Sequence, residues 1–175
     1  MKKILLNNKK IIFCHIVLLI CFSAYLVSAD FLFDRVFMVN GESNILDITI
    51  PNETQNIKSH VELFQKNRLE WKEVILLSGW AFVEGQSMNG MKTYVVLKSN
   101  SSEYIFDTIP FSRWDVTQYF YNGTIDLRNS GWRANIPENV LNDDDFRIGY
   151  IIRDNTTQSF SMSRNYINKK GSFWK

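Results

Sequence analysis

Arg113-Trp114-Asp115, followed closely by Tyr119 and Tyr121, is the densest group of side chains in this sequence able to bind something. An arginine two residues from an aspartate can close an ion pair or bond to loop backbone. The aromatic rings offer flat apolar faces with polar tips, against which the apolar face of a sugar can lie. Two readings follow. Arg113 and Asp115 fix a structural corner, or Arg113, Trp114, Asp115, Tyr119 and Tyr121 form a ligand-binding loop on a rigid scaffold.

Chemistry of other kinds finds little support. Beyond residue 29 the only histidine is His60 and there is no cysteine, so neither a thiol nucleophile nor a Cys/His metal site can be built there. His60 lies in an alternating strand pattern, and no Gly-x-Ser-x-Gly element accompanies it as a serine hydrolase would require. The eight glycines are scattered and form no phosphate-cradling loop. Asn142-Asp143-Asp144-Asp145 lacks the spaced ligands and distal glutamate of a calcium loop and reads as a solvated turn. No metal and no cofactor is expected. Paired carboxylates of the glycosidase kind stay open, because such pairs meet only in space and nothing selects two among the 18 acidic residues. Four glycosylation sequons begin at Asn52, Asn100, Asn122 and Asn155, all in expected loops.

The run Ile11 to Ala29 contains no Asp, Glu, Lys or Arg. As a helix it is roughly 28 Å long, close to the ~30 Å of a bilayer's hydrocarbon core. Four lysines precede it, so residues 1–10 are expected in the cytoplasm and everything after the run outside, as a single-pass membrane protein. The alternative is a secretory signal cleaved after Val27-Ser28-Ala29, although the run exceeds the usual ~7–15 apolar residues of such a segment. Membrane lipid is thus the first expected partner, through residues 11–29. Those four lysines also account for the basic pI of about 8.5. Beyond the run, 16 Lys and Arg stand against 18 Asp and Glu, a net of about −2, which argues against nucleic acid as a partner.

Residues 30–43 read as a connector, with a first strand possible in its apolar part, residues 44–167 as a β domain and 168–175 as a polar tail. Strands are expected at ILDITI (45–50), at 60–64, over the near-continuously apolar 73–83, at 91–98, 103–109, 132–136 and 146–152, and at 158–163. Ser99 to Ser102 makes a four-residue hairpin loop, and Ser112 or Asp115 caps a short helical turn carrying Val116, Tyr119 and Phe120. Seven to nine strands with turns about every ten residues point to an all-β, antiparallel, immunoglobulin-like sandwich, without the Cys…Trp…Cys spacing of true immunoglobulin domains. Ser78-Gly79-Trp80-Ala81-Phe82 and Ser130-Gly131-Trp132-Arg133-Ala134 echo each other. Glycine before tryptophan in a strand marks a bulge or close approach, so Trp80 and Trp132 are expected in the core from facing strands. The rival reading makes them a sugar-stacking platform.

The order of Leu77-Ser78-Gly79-Trp80-Ala81-Phe82-Val83-Glu84-Gly85, Val95-Val96-Leu97-Lys98-Ser99, Tyr104-Ile105-Phe106, Arg113-Trp114-Asp115-Val116, Ser130-Gly131-Trp132-Arg133-Ala134-Asn135-Ile136-Pro137 and Phe146-Arg147-Ile148-Gly149 resembles a β-sandwich domain of bacterial and archaeal cell-envelope proteins. That domain sometimes accompanies multi-span membrane proteins of surface-glycan assembly. The resemblance covers about residues 70–165 and carries over no catalytic residue. It implies a non-catalytic, membrane-anchored extracytoplasmic module whose partner is a surface glycan or a separate multi-span membrane protein. The competing expectations are a glycan hydrolase using paired carboxylates, and a passive spacer with Trp114, Tyr119 and Tyr121 all packed inward.

Overall fold

The computed structural model describes residues 15, 17–23, 42–54, 56–69, 72–141, 144–170 and 172–174. The chain divides into two units, Met1–Asn40 and Gly41–Lys175. In the first unit, His15 and residues 17–23 are helical, and the side chains of Val17, Leu18, Leu19, Ile20 and Phe22 are exposed. Among the described residues no helix is long and apolar enough to cross a membrane. The basic flank, most of the apolar run and the 30–40 connector lie outside the described residues.

Among its described residues the second unit is mostly β, with nine strands in two antiparallel sheets. They are β1 (Ile57–Leu69), β2 (Lys72–Val83), β3 (Lys92–Lys98), β4 (Glu103–Phe106), β5 (Ile109–Phe111), β6 (Gly131–Pro137), β7 (Asp145–Arg153), β8 (Gln158–Asn168) and β9 (Phe173–Trp174). One sheet has the order β1-β2-β6-β5 and the other β4-β3-β7-β8-β9. The main core draws on both: Ile75, Leu77, Trp132, Ala134 and Ile136 from the first, and Val95, Leu97, Phe106, Ile148, Tyr150 and Ile152 from the second. Alternate residues of each strand point to it, which is how a period-two pattern becomes a two-layer core.

The 103–109 segment is two strands, not one. Phe106 ends β4 in the five-stranded sheet and Ile109 begins β5 in the four-stranded sheet, with Asp107-Thr108 crossing between them. The Thr108 hydroxyl donates to the Thr93 carbonyl, and Asp107 pairs with Lys92 at 2.7 Å, holding the crossover. β8 runs to Asn168, five residues beyond its expected end, and Phe173-Trp174 of the tail pairs with Tyr166 and Ile167.

ILDITI is not a strand. Only Ile45 makes a bridge, to Phe106. The Leu46 amide donates to the Ile105 carbonyl on β4 and the Thr54 amide to the Phe160 carbonyl on β8. The segment therefore crosses the sheet transversely, over β3 and β7, and cannot ladder with any one strand. Its apolar alternation is real: Leu46, Ile48 and Ile50 pack on a second cluster of Tyr94, Val96, Ile105, Ile151 and Phe160 on the sheet's outer face. Burial of that face, rather than strand pairing, is what the pattern encodes.

Candidate functional site

The Gly-Trp echo lies within one sheet. β2 and β6 are antiparallel neighbours in which Gly79 stands opposite Trp132 and Trp80 opposite Gly131. The tryptophans thus belong to adjacent strands of the same sheet, not to facing ones, and each ring has a bare backbone across from it. Trp132 points into the main core and is fully buried, with its ring 5.3 Å from that of Tyr150. Trp80 points to the other face and is half-buried, stacked on Phe82 at 5.6 Å and met edge-on by Phe120 at 5.2 Å.

Phe120 belongs to α1 (Trp114–Tyr121), the helix that covers this outer face. Val116 and Thr117 are buried, Phe120 and Tyr121 are half-buried, and Trp114, Asp115, Gln118 and Tyr119 are exposed, the two-faced pattern of a surface helix. The N-cap is Arg113, not Ser112 or Asp115, and no side chain caps the helix. Asn122, in the left-handed region at φ 48°, ends it. The Arg113 amide donates to the Arg128 carbonyl at 2.8 Å, and the Leu127 amide to the Thr117 hydroxyl at 3.0 Å, so the helix is fastened at two points to the segment before β6.

Arg113 is the centre of the cluster. Its Nε and Nη2 donate to Asp115 at 2.8 and 2.5 Å, and its Nη1 and Nη2 to Glu62 at 2.5 and 2.7 Å. Two carboxylates grip one guanidinium, whose side chain is only 12 % exposed. The bonds to Asp115 and then Glu62 push the Arg113 pKa further up, so it is a permanent cation. The bond from Arg113 in turn holds the Asp115 carboxyl below its usual range.

Two glycines make this geometry possible. A Cβ on Gly131 would lie 2.4 Å from the Phe111 carbonyl oxygen and 2.7 Å from Arg113 Cγ, so the arginine stem and the β5 edge occupy the space a side chain would need. A Cβ on Gly79 would lie 2.0 Å from the His60 carbonyl oxygen. Beside that close approach β1 bulges: Val61 pairs with Gly79 and Leu63 with Ser78, leaving Glu62 as the extra residue. A bulge re-aims a side chain, and here the re-aimed side chain is the one that reaches Arg113.

Of the five residues singled out in the sequence, the structure joins Arg113 and Asp115 and turns Trp114 and Tyr119 outward, at 56 % and 81 % exposed. Tyr121 turns inward: its ring packs edge-on to Phe82 and its hydroxyl accepts from the Gly85 amide at 2.8 Å. Sequence reasoning missed Glu62, 51 residues from its partner.

A second meeting of acids occurs near the strand ends at the other side of β2. Glu138 accepts from Lys66 Nζ at 2.9 Å, beside a cavity of about 420 Å³ lined by Lys72, Glu73, Asn139 and Lys169. Lys66 holds the Glu138 carboxyl below its usual range. Asp144, from the acidic run, accepts from the Ser99 hydroxyl at 2.9 Å and from that of Ser101, tying down the β3–β4 loop. Among the described residues no group of three or more His, Cys, Asp or Glu is placed to hold a metal ion.

Comparison with family models, with curated proteins and with solved structures returns no match.

Proposed function

We propose that the protein is a non-catalytic binding module displayed at the cell envelope, and that α1 is its contact surface for a surface glycan. The observation that carries this reading is the outward projection of Trp114 and Tyr119 from a helix whose other aromatics are packed and whose first turn is clamped by Arg113. Large aromatic faces left in water cost free energy that a bound apolar face recovers. Asp115, Gln118 and Asn122, exposed beside them, supply polar groups for sugar hydroxyls. A passive spacer would have no reason to hold two large rings outward on an immobilised helix.

The hydrolase reading is weaker. A glycosidase needs one carboxyl that keeps its proton, separated by about 5–10 Å from the second. Asp115 is held ionised by Arg113, and Glu138 by Lys66. The cell-envelope setting rests on the apolar run 11–29, supported by the exposed apolar side chains of its helical residues, and on the resemblance to envelope β-sandwich domains; the immunoglobulin-like comparison is one of shape.

Glycan-array binding of the full chain in detergent micelles tests the reading. Trp114→Ala and Tyr119→Ala should each cut binding by roughly tenfold, the loss of about 1.4 kcal/mol that an aromatic contact supplies. Thermal stability should stay close to the parent's, because both rings are exposed. Absence of binding to every glycan, with a multi-span membrane protein co-purifying instead and released by Trp114→Ala, would reassign the helix to a protein partner.

A further inference from the structure

On the outer face of the other sheet, β3 and β7 place Lys92 directly opposite Arg153. Like charges in that relation repel. Both sit over one ring: Lys92 Nζ lies 5.4 Å and the Arg153 guanidinium 4.8 Å from the centroid of Tyr94, which is almost fully buried. Lys92 has a counterion, Asp107 at 2.7 Å. Arg153 has none among the described residues; its guanidinium lies against the ring.

These groups form the floor of a cavity of about 500 Å³ whose wall is the β7–β8 turn, Asp154 to Thr157. That turn is pinned. Asp154 Oδ1 accepts from the Thr156 amide at 2.7 Å, the Thr157 amide at 2.6 Å and the Thr156 hydroxyl at 3.0 Å, and the Asp154 amide donates to the Thr157 carbonyl at 3.1 Å. One oxygen of the only carboxylate among the described lining residues, Asp154 Oδ1, is thus taken up by its own turn, an Asx-type arrangement, while Asn155 and Gln158 also line the cavity.

We propose that this cavity binds an anionic sugar unit, with the Arg153 fork taking its carboxylate or phosphate oxygens and Lys92 adding a second charge. Arginine presents paired N–H donors that match both oxyanions, and a guanidinium stacked on a ring is already oriented for them. The volume suits a single sugar-sized body. An oxyanion between Lys92 and Arg153 also relieves their repulsion. The site lies on the opposite outer face of the unit from α1 and does not depend on the glycan reading of that helix.

Isothermal titration of the full chain with methyl glucuronoside, glucose 1-phosphate, glucose and inorganic phosphate tests this. Binding of the glucuronoside, the sugar phosphate or both, with none by glucose and weakening as salt rises, is the expected result; which of the two binds identifies the anion's source. Arg153→Gln should reduce affinity at least tenfold, and Arg153→Lys, which keeps the charge and loses the fork, should also weaken it. Asp107→Asn, which removes the internal competitor for Lys92 and keeps an acceptor for the Thr108 amide, should tighten it, an effect no purely structural role would produce. The proposal fails if none of the anions binds, if inorganic phosphate binds as tightly as the sugar phosphate, or if Arg153→Gln binds as the parent does.

Discussion

At the scale of single residues, the two tryptophans of the echoed motif separate cleanly. Trp132 is fully enclosed between the sheets, whereas Trp80 lies under α1 with one side still half open. Trp132→Ala should therefore cost about 3–5 kcal/mol, the range for removing a buried aromatic and leaving a cavity. Trp80→Ala should cost about 1–3 kcal/mol, because less area returns to water and Phe82 and Phe120 can close partly over the gap. Urea denaturation of the two variants measures the difference; equal losses would mean that α1 seals its face as completely as the opposing sheet does. Residue type and nearest spacing made part of this legible. That Gly-Trp marks close backbone approach could be read from composition alone, and so could the Arg113–Asp115 contact at two residues' separation. What could not be read was the partner strand: the same motif fits rings from facing sheets or from neighbours, and only the register of β2 against β6 decides. Glu62 was hidden for the same reason, since neither the bulge nor its aim is written in the HVELF alternation.

At the scale of elements, the strands were legible wherever one face is buried and the other is not, or where both are, as along β2. The strand expected at 45–50 is instead part of a transverse segment, because alternation reports which side chains are buried and says nothing about the direction in which the backbone runs. The split of 103–109 was invisible because both halves are apolar and the crossover residues Asp107 and Thr108 carry no glycine or proline to mark it. The bulge in β1 is the element on which the site depends. With His60's carbonyl oxygen 2.0 Å from where a Gly79 Cβ would be, Gly79→Ala meets backbone, not a flexible side-chain end, and β1 must move. The expected outcome is a loss of about 2–4 kcal/mol, of the overpacking kind, together with release of Glu62 from Arg113. Hydrogen exchange of the α1 amides should speed up in that variant, since the clamp on the helix start is loosened. Unchanged exchange in α1, despite a destabilised sheet, would show that Asp115 alone suffices to hold Arg113.

At the scale of the whole molecule, the Gly41–Lys175 unit contains no cysteine, so packing and ion pairs hold it without a covalent cross-link. Its carboxylates then govern its response to acid. Asp126 is held at about 2 by Arg128, and Asp154 at about 2 by the Thr156 and Thr157 amides. Asp115 and Glu138 are held below their usual range by Arg113 and by Lys66. In an unfolded chain such groups titrate near 4. Folded-state values below unfolded ones mean that the unfolded chain takes up protons first as acid is added. The stability these groups contribute is therefore fully present above about pH 5, begins to fall near pH 4 and is lost as the pH drops towards 2. Asp115 is exposed and the other three are half-buried at the surface, where solvent still screens their ion pairs, so each contributes little and the decline should be gradual. Melting temperature should be flat between about pH 5 and 7 and fall steadily below 4. The decline should be shallower in Asp126→Asn, which removes one of the titrating groups. An unfolding transition already under way at pH 5–6 would show that these four carboxylates do not govern the response to acid.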